Sequence, residues 1–497
     1  MSKRRLARNA AASLAQAAIT TVTMFLMYRL LLRSLSIEEV GLWALVIGST
    51  AVARLSDMGL GAGVLRFVAG DIAAGRHDAA ASTITMGVIC AAALVGTVAT
   101  IAYPLLLPLL LKGTPPALHA AAASLLQAAL VSVVISTAAN VFFNGIDGCQ
   151  RMDIRSGLQV AGGLVQLGAT ALILPARGLT GLGAVQLIQS SFLLVMALFT
   201  CVRLVGATRS AWFHGERSRL RELFTYGGGL QVAAIGQMLF DPLVKALLTA
   251  FSGLELTGYF EMASRLILQC RAIYNAGFNA LVPHVAARAR NEGLSADEVR
   301  GIYREASNLL LETALPFFAM LASVLPLAVL VWIGRLDTKL LAVALILIIG
   351  WTFNTLNLPS YLLNVALGRL RWNILSHVVI GIATLALGLL LGPAMRGTGV
   401  LAAANLALIA GSGLVIAMFH REWHIRLGEL VTPRQFWAIA VFFLAWACST
   451  ALVTGHLPDN LVAMIVIPAL IAPFVLALLW TSPVRKSLTD QLGQSRK

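Results

Sequence analysis

Charged side chains are scarce in this 497-residue chain, at 12% of the total, about half the share found in soluble domains. That scarcity excludes an ordinary water-exposed shell, and no stretch is polar and long enough to make a separate soluble domain. The five cysteines (Cys90, Cys149, Cys201, Cys270 and Cys448) are scattered, with neither disulfide nor zinc spacing. No Gly-x4-Gly-Lys-Ser/Thr loop occurs, so no nucleotide cradle of that type is encoded. No bound cofactor is implied. The run Gly59-x-Gly61-x-Gly63 lies in an apolar helical stretch rather than after a strand, and reads as close helix packing or a kink.

What the chain has in quantity is apolar sequence. Hydrophobic residues make up 58% of it, and a bilayer-crossing helix needs about 20 of them in a row. Fourteen such runs fit, the first over 10–32 and the last over 461–481. Strands are excluded because the runs are rich in Leu and Ala and an open sheet edge cannot sit in lipid. Lys3, Arg4, Arg5 and Arg8 before Ala15-Gln16-Ala17 imitate a signal peptide. The apolar run continues to Leu32, so a retained first helix is the better reading.

The net charge of +15 invites a nucleic-acid reading, which its distribution rejects. With the N-terminus in the cytoplasm, 26 of the 37 Lys and Arg residues fall on the inner side and six on the outer. That is the bias of an inner-membrane protein with both termini cytoplasmic, not a basic face for nucleic acid.

Against this background, two arginines stand out. Arg54 and Arg271 each lie thirteen residues past a glycine, Gly41 and Gly258, inside a long apolar run. A mid-bilayer arginine costs roughly 2.5–3.5 kcal/mol on insertion scales and almost always faces a cavity or a partner. The two are 217 residues apart. Asn144-x3-Gly148-x2-Arg151-x-Asp153 and Asn364-x3-Gly368-x2-Arg371-x-Asn373 repeat at an offset of 220, and Arg177-Gly178 and Arg396-Gly397 at 219. A duplicated six-span unit follows, with the two copies in the same orientation. The implied divisions are 1–204, a cytoplasmic linker over 205–224, a second unit over 225–427, and two extra spans with a tail over 428–497.

Several motifs then resemble a known family. Arg33-x-Leu35-x4-Val40-Gly41-Leu42-Trp43 followed by Asp57-Met58-Gly59-Leu60-Gly61 is similar to the first two helices of bacterial oligosaccharide-lipid flippases. Asn144-Gly145 with Gln150-Arg151, Gly258-Tyr259 with Ala263, and Pro359-Ser360-Tyr361 with Gly368 continue the pattern over essentially the whole chain. The family is the polysaccharide transporter branch of the multidrug/oligosaccharidyl-lipid/polysaccharide exporter superfamily. The resemblance implies an all-α integral membrane protein, with two pseudo-symmetric six-helix lobes around a central cavity. It also implies movement of an undecaprenyl-diphosphate-linked oligosaccharide to the periplasmic leaflet, with membrane lipids, a polysaccharide polymerase and export proteins as partners.

The residues themselves point the same way. A diphosphate suits the planar donor fork of arginine. The candidate substrate contacts are Arg54, Arg271, Arg265 and Lys245. Asp57 and Asp241 are the embedded carboxylates that suit ion coupling. Asp57 is three residues past Arg54, Asp241 four before Lys245, and Glu261 four before Arg265, so local ion pairing is the plainer alternative for those three cations. Arg271 has no acid within four positions. Arg29, near the end of its helix, reads as an interfacial anchor. His420 and His424 have metal-like spacing but sit among membrane-edge residues, and 292–305 reads as a cytoplasmic surface helix. A multidrug exporter of the same superfamily and a membrane glycan polymerase or ligase are the competing functions. The first would favour an acidic or apolar cavity, and the second would need catalytic groups in outer loops that are only about 3–10 residues long, short by ordinary loop priors.

Overall fold

Leu- and Ala-rich runs of twenty residues or more form helices because each backbone polar group is then satisfied within its own segment. The computed structural model describes residues 3–480 apart from 52, 54–58, 214–216, 280–284, 286–293, 427, 429–432 and 458–460; side chains of 3–14, 62, 217–237, 276–277 and 279 are likewise outside the description. Among the described residues the chain is helical and has no strand. The helices are α1 (Lys3–Ser34), α2 (Ile37–Ser49), α3 (Leu60–Ala73), α4 (His77–Lys112), α5 (His119–Gly148), α6 (Met152–Val205) and α7 (Arg217–Asn279). They continue as α8 (Ala296–Ile333), α9 (Thr338–Leu356), α10 (Leu358–Ala366), α11 (Arg371–Trp423), α12 (Pro433–Val453) and α13 (Leu461–Trp480).

Nine helical segments among the described residues are long and apolar enough to cross a membrane. Two of them, α6 with 54 residues and α11 with 53, would extend roughly 80 Å if straight, enough for two crossings of a core about 30 Å thick. Each is interrupted by one non-helical residue, Gly178 (φ 53°, ψ −142°) in α6 and Arg396 (φ 52°, ψ −136°) in α11. Helix α7 is broken in the same way at Gly253. This is a multi-pass membrane protein.

The chain divides into two compact units, Met1–Gly258 and Tyr259–Lys497. Compactness groups the first half of α7 with the preceding helices.

Backbone geometry gives the internal repeat one constant register. The left-handed residues Gln150, Gly178 and Gly206 are matched by Gly368, Arg396 and His424, each pair 218 positions apart. Pro175 and Pro393, inside α6 and α11, share that offset. So do the hydroxyl bonds from Thr180 to the Arg177 carbonyl (2.9 Å) and from Thr398 to the Met395 carbonyl (2.6 Å). The turn after α5 closes with the Arg151 amide on the Ile146 carbonyl, and the turn after α10 with the Arg369 amide on the Asn364 carbonyl. The residue-type landmarks at 219 and 220 are therefore one and two positions out of register. Arg396, not Gly397, is the counterpart of Gly178.

Positive φ with ψ near −140° suits glycine, and a bulky residue there stores about 1–3 kcal/mol. Arg396→Gly should raise thermal stability in detergent by about 1 kcal/mol, while Gly178→Ala lowers it by a similar amount; unfolding midpoints of the two variants check this.

Two further expectations are revised. Residues 292 and 293 of the charged stretch 292–305 lie outside the described residues, and from Ser295 on the stretch is the start of a longer helix rather than a separate surface helix. A capping box between Ser295 and Glu298 starts α8, which runs unbroken to Ile333, and Val299 and Tyr303 are already buried. Within the apolar stretch 41–65, α2 ends at Ser49 and α3 starts after Gly59, which is in the left-handed conformation (φ 67°); residues 52 and 54–58 between them lie outside the described residues. Gly61 of α3 lies against Asn144, where an added Cβ would stand 2.5 Å from the amide nitrogen. Gly59 thus opens α3 from a left-handed residue, and Gly61 allows a close approach to α5.

Candidate functional site

Arg54 and Asp57 lie outside the described residues. The other embedded cations are placed, and they fall into two kinds.

Lys245 and Arg265 are held by acids one turn earlier on their own helix. The Lys245 ammonium donates to Asp241 Oδ2 at 2.6 Å, with Lys245 fully buried and Asp241 40% exposed. The Lys245 stem passes Gly48 of α2, where an added Cβ would come within 3.3 Å of its Cδ. Arg265 Nε donates to Glu261 Oε1 at 2.7 Å, with Glu261 buried and Arg265 40% exposed. The i,i+4 spacing makes both pairs local, so they lower the cost of placing a charge in an apolar helix whatever else they do.

The Lys245–Asp241 pair is open to test. Removing one member of a buried pair leaves an uncompensated charge and costs about 3–5 kcal/mol, discounted here to the lower end because the carboxylate is partly exposed. Asp241→Asn should lower the unfolding midpoint more than the double variant Lys245→Met/Asp241→Asn does. An unchanged midpoint in Asp241→Asn would assign the pair no role in stability.

Arg271 is different. It sits on α7 beyond the Gly253 break and forms no ion pair among the described residues. Its Nε is buried without a hydrogen-bond partner. The guanidinium carbon lies 5.2 Å from the centre of the Trp351 ring on α9, within the range of a cation–π contact. Tyr361 of α10 and His377 of α11 are within electrostatic range of the guanidinium. Their rings meet edge to face at 5.8 Å, with the Tyr361 hydroxyl 3.5 Å from His377 Nε2. One turn along α7, Tyr274 packs on Phe317 and Phe318 and donates to the Thr313 carbonyl at 3.0 Å. Unit 2 thus holds an arginine that meets an aromatic face and no carboxylate among the described residues, with further rings and hydroxyls close by.

The surrounding asparagines, which spacing alone does not sort, now separate. Asn364 is fully buried and donates to Asn373 Oδ1 at 3.0 Å; Asn373 donates on to the Tyr361 carbonyl at 2.9 Å. This relay ties α10 to α11 and fixes Tyr361, so the repeated motif carrying Asn364 and Asn373 is a tie between helices. Asn354 donates to Ser412 at 2.8 Å. Asn357 and Asn364 each bury a side-chain oxygen without a hydrogen-bond partner. In unit 1 Asn144 donates to the Asn140 carbonyl, and Asp153 of the same motif pairs with Arg151 at 3.1 Å.

His420 and His424 diverge: His420 is buried with Nε2 2.8 Å from the Tyr303 hydroxyl, while His424 caps α11 in the left-handed conformation. They form no pair of ligands. Among the described residues no group of three His, Cys, Asp or Glu side chains is placed to hold a metal. Arg29 is exposed.

No protein-family model and no curated protein sequence matches the chain. Solved structures do. An inward-facing multidrug resistance MATE family transporter of the MOP superfamily superposes with a TM-score of 0.70 at 13% identity, covering 84% of this chain and 98% of that one. The lipid II flippase MurJ in an inward closed conformation gives 0.66 at 12% identity, covering 95% and 98%. A mutant of the Vibrio cholerae MATE transporter VcmN gives 0.59 at 14% identity, covering 86% and 100%. The neighbours are transporters and a flippase, not enzymes. Helical throughout its described residues, with kinked long helices that repeat along the chain, this protein shares the fold of these transporters over nearly their full length.

Proposed function

We propose that this protein is a flippase for a lipid-linked oligosaccharide, with an undecaprenyl diphosphate carrier, serving surface or exported polysaccharide synthesis. The observation that carries the reading is Arg271: a buried cation whose Nε has no hydrogen-bond partner. Such a group is costly in a membrane unless an anion completes it. A diphosphate brings about two negative charges and matches the donor fork. Arg265, six residues earlier and 40% exposed, offers a second cation roughly 9 Å along the helix. Trp351 and the Tyr274 cluster provide apolar ring faces of the kind that pack against sugar rings. The sequence motif assigns Arg54 the same role as Arg271. Lys245, fully buried on Asp241, has no part in the proposed grip.

The fold fits a multidrug exporter equally well, since MATE transporters share it. Electrostatics favours the anionic substrate: a cationic drug gains nothing from an arginine without a carboxylate beside it. A strain lacking this protein should lose one surface or secreted polysaccharide and accumulate the lipid-linked precursor on the cytoplasmic side. Precursor that became accessible from the periplasm at the normal rate in that strain would rule out the flippase reading. Unchanged polysaccharide together with new drug sensitivity would select the exporter.

A further inference from the structure

Unit 1 contains a cavity of about 940 Å³ that the substrate reading does not use. Its walls come from the end of α4 and the following turn, from α2, and from the first half of α7. One end is polar: Lys112, in the last turn of α4, with Gly113 and Thr114. Lys112 is exposed and forms no ion pair among the described residues. The rest is apolar, with Leu106, Leu109, Leu239, Pro242, Leu243 and Ala246 among the lining residues. The hydroxyls in the wall are already satisfied, Ser49 by the Val46 carbonyl, Thr114 by the Leu110 carbonyl and Thr249 by Thr257. The groove is open along its side, where Leu109 is 64% exposed.

Its dimensions match one leaflet. From Ala250, just before the Gly253 break in α7, to Leu239 is eleven residues, about 16 Å of helix. That is roughly half of the ~30 Å hydrocarbon core. With its polar end at headgroup level, a groove of that length would reach the middle of the bilayer.

We propose that this groove binds one acyl chain of an anionic membrane phospholipid, with its phosphate on Lys112. Charge complementarity at one end and an apolar channel one leaflet deep at the other select that occupant over a soluble ligand. The lining includes none of the residues proposed to grip the diphosphate, so the proposal stands or falls independently of the flippase reading.

The test reconstitutes the full-length protein in phosphatidylcholine vesicles doped with phosphatidylglycerol carrying a diazirine midway along one acyl chain. Illumination and peptide mass spectrometry then map the adducts. Adducts should concentrate on 106–110 and 239–250. Lys112→Ala should lower them about fivefold, the effect of one lysine near an anionic bilayer surface, and Lys112→Arg should retain them. The same substitution should leave labelling by a diazirine phosphatidylcholine unchanged. Ala246→Trp, which fills the channel, should remove adducts from both probes. Labelling of the stretch 385–390 of α11, where Leu385, Leu389 and Leu390 are exposed, serves as the control for a folded protein and should not change. Labelling spread evenly over both surfaces and indifferent to Lys112→Ala would overturn the proposal and leave only annular lipid. Because Lys112 is exposed, its variants do not threaten folding and decide the question alone if Ala246→Trp fails to fold.

Discussion

Arg271→Ala should reduce transport at least tenfold while leaving the protein as stable as the wild type, or more so. Hydrogen bonds to a charged group contribute about 1.5–3 kcal/mol each, so losing one or two of them from a diphosphate accounts for a defect of that size. Stability moves the other way because the arginine has no carboxylate partner among the described residues, and its Nε is buried without a hydrogen-bond partner. Removing it therefore relieves a desolvated charge. Arg271→Lys should restore part of the activity, a point charge replacing a fork. Arg54→Ala should match Arg271→Ala, and Arg29→Ala, at an exposed position, should be mild. Transport of precursor normalised to membrane protein, with unfolding midpoints on the same preparations, separates loss of function from loss of fold. Near-normal transport in Arg271→Ala would remove the basis of the proposed grip.

Gly41→Ala should be the most damaging glycine-to-alanine change among the described residues. A Cβ built on Gly41 would stand 1.9 Å from the Leu254 carbonyl oxygen, and one on Gly258 would stand 2.4 Å from the Ile37 carbonyl oxygen. The two glycines face each other, with the Gly258 amide nitrogen 3.0 Å from the Gly41 Cβ position. Here α2 and α7 touch backbone to backbone, as small residues allow in membrane helices. Most overpacked cores relax by shifting a side chain, at about 1–3 kcal/mol. Backbone oxygens cannot move aside that way, so the cost here should exceed that range. Either alanine variant should show sharply reduced membrane yield and a lowered unfolding midpoint. Gly163→Ala, whose Cβ would meet only Thr23 at 3.8 Å, should leave both unchanged. Wild-type yield and stability in Gly41→Ala would mean that the two helices do not cross at these glycines.

The same pair shows how far spacing could be read. Gly41 and Gly258 serve in the sequence only as landmarks of a repeat; no sequence pattern says that they meet each other. The repeat itself was legible, but its register was not. Residue identity at Arg177-Gly178 and Arg396-Gly397 attracts an alignment one position out. Pro175-Ala176-x3-Thr180-Gly181 and Pro393-Ala394-x3-Thr398-Gly399 carry the true offset of 218 and contain the residues that shape the turn. Proline, the threonine hydroxyl and the packed glycine are the better guide because they act on the backbone. Arginine at a loop is free to drift.

The local ion pairs were also legible, since an acid and a base four residues apart on one helix meet with little help from the rest of the fold. Lys245 with Asp241 and Arg265 with Glu261 are of this kind. The asparagines were not, because Asn364 and Asn373 look alike in sequence to Asn140. Only packing makes the first two a buried relay under Tyr361 and leaves the third exposed.

By itself, then, the sequence determined the membrane solvent, the helical class and the duplication. All three follow from apolar run length and periodic spacing, which act within one segment and need no partner. The tertiary structure decided which cation keeps a free face. Arg271 differs from Arg265 through what other helices bring to it, a tryptophan ring from α9 and no acid among the described residues. It also decided that a lysine ending α4 opens onto an apolar channel, since the walls of that channel come from segments more than a hundred residues apart. Charge compensation by near neighbours is written in spacing, whereas compensation, or its absence, across helices exists only once they pack.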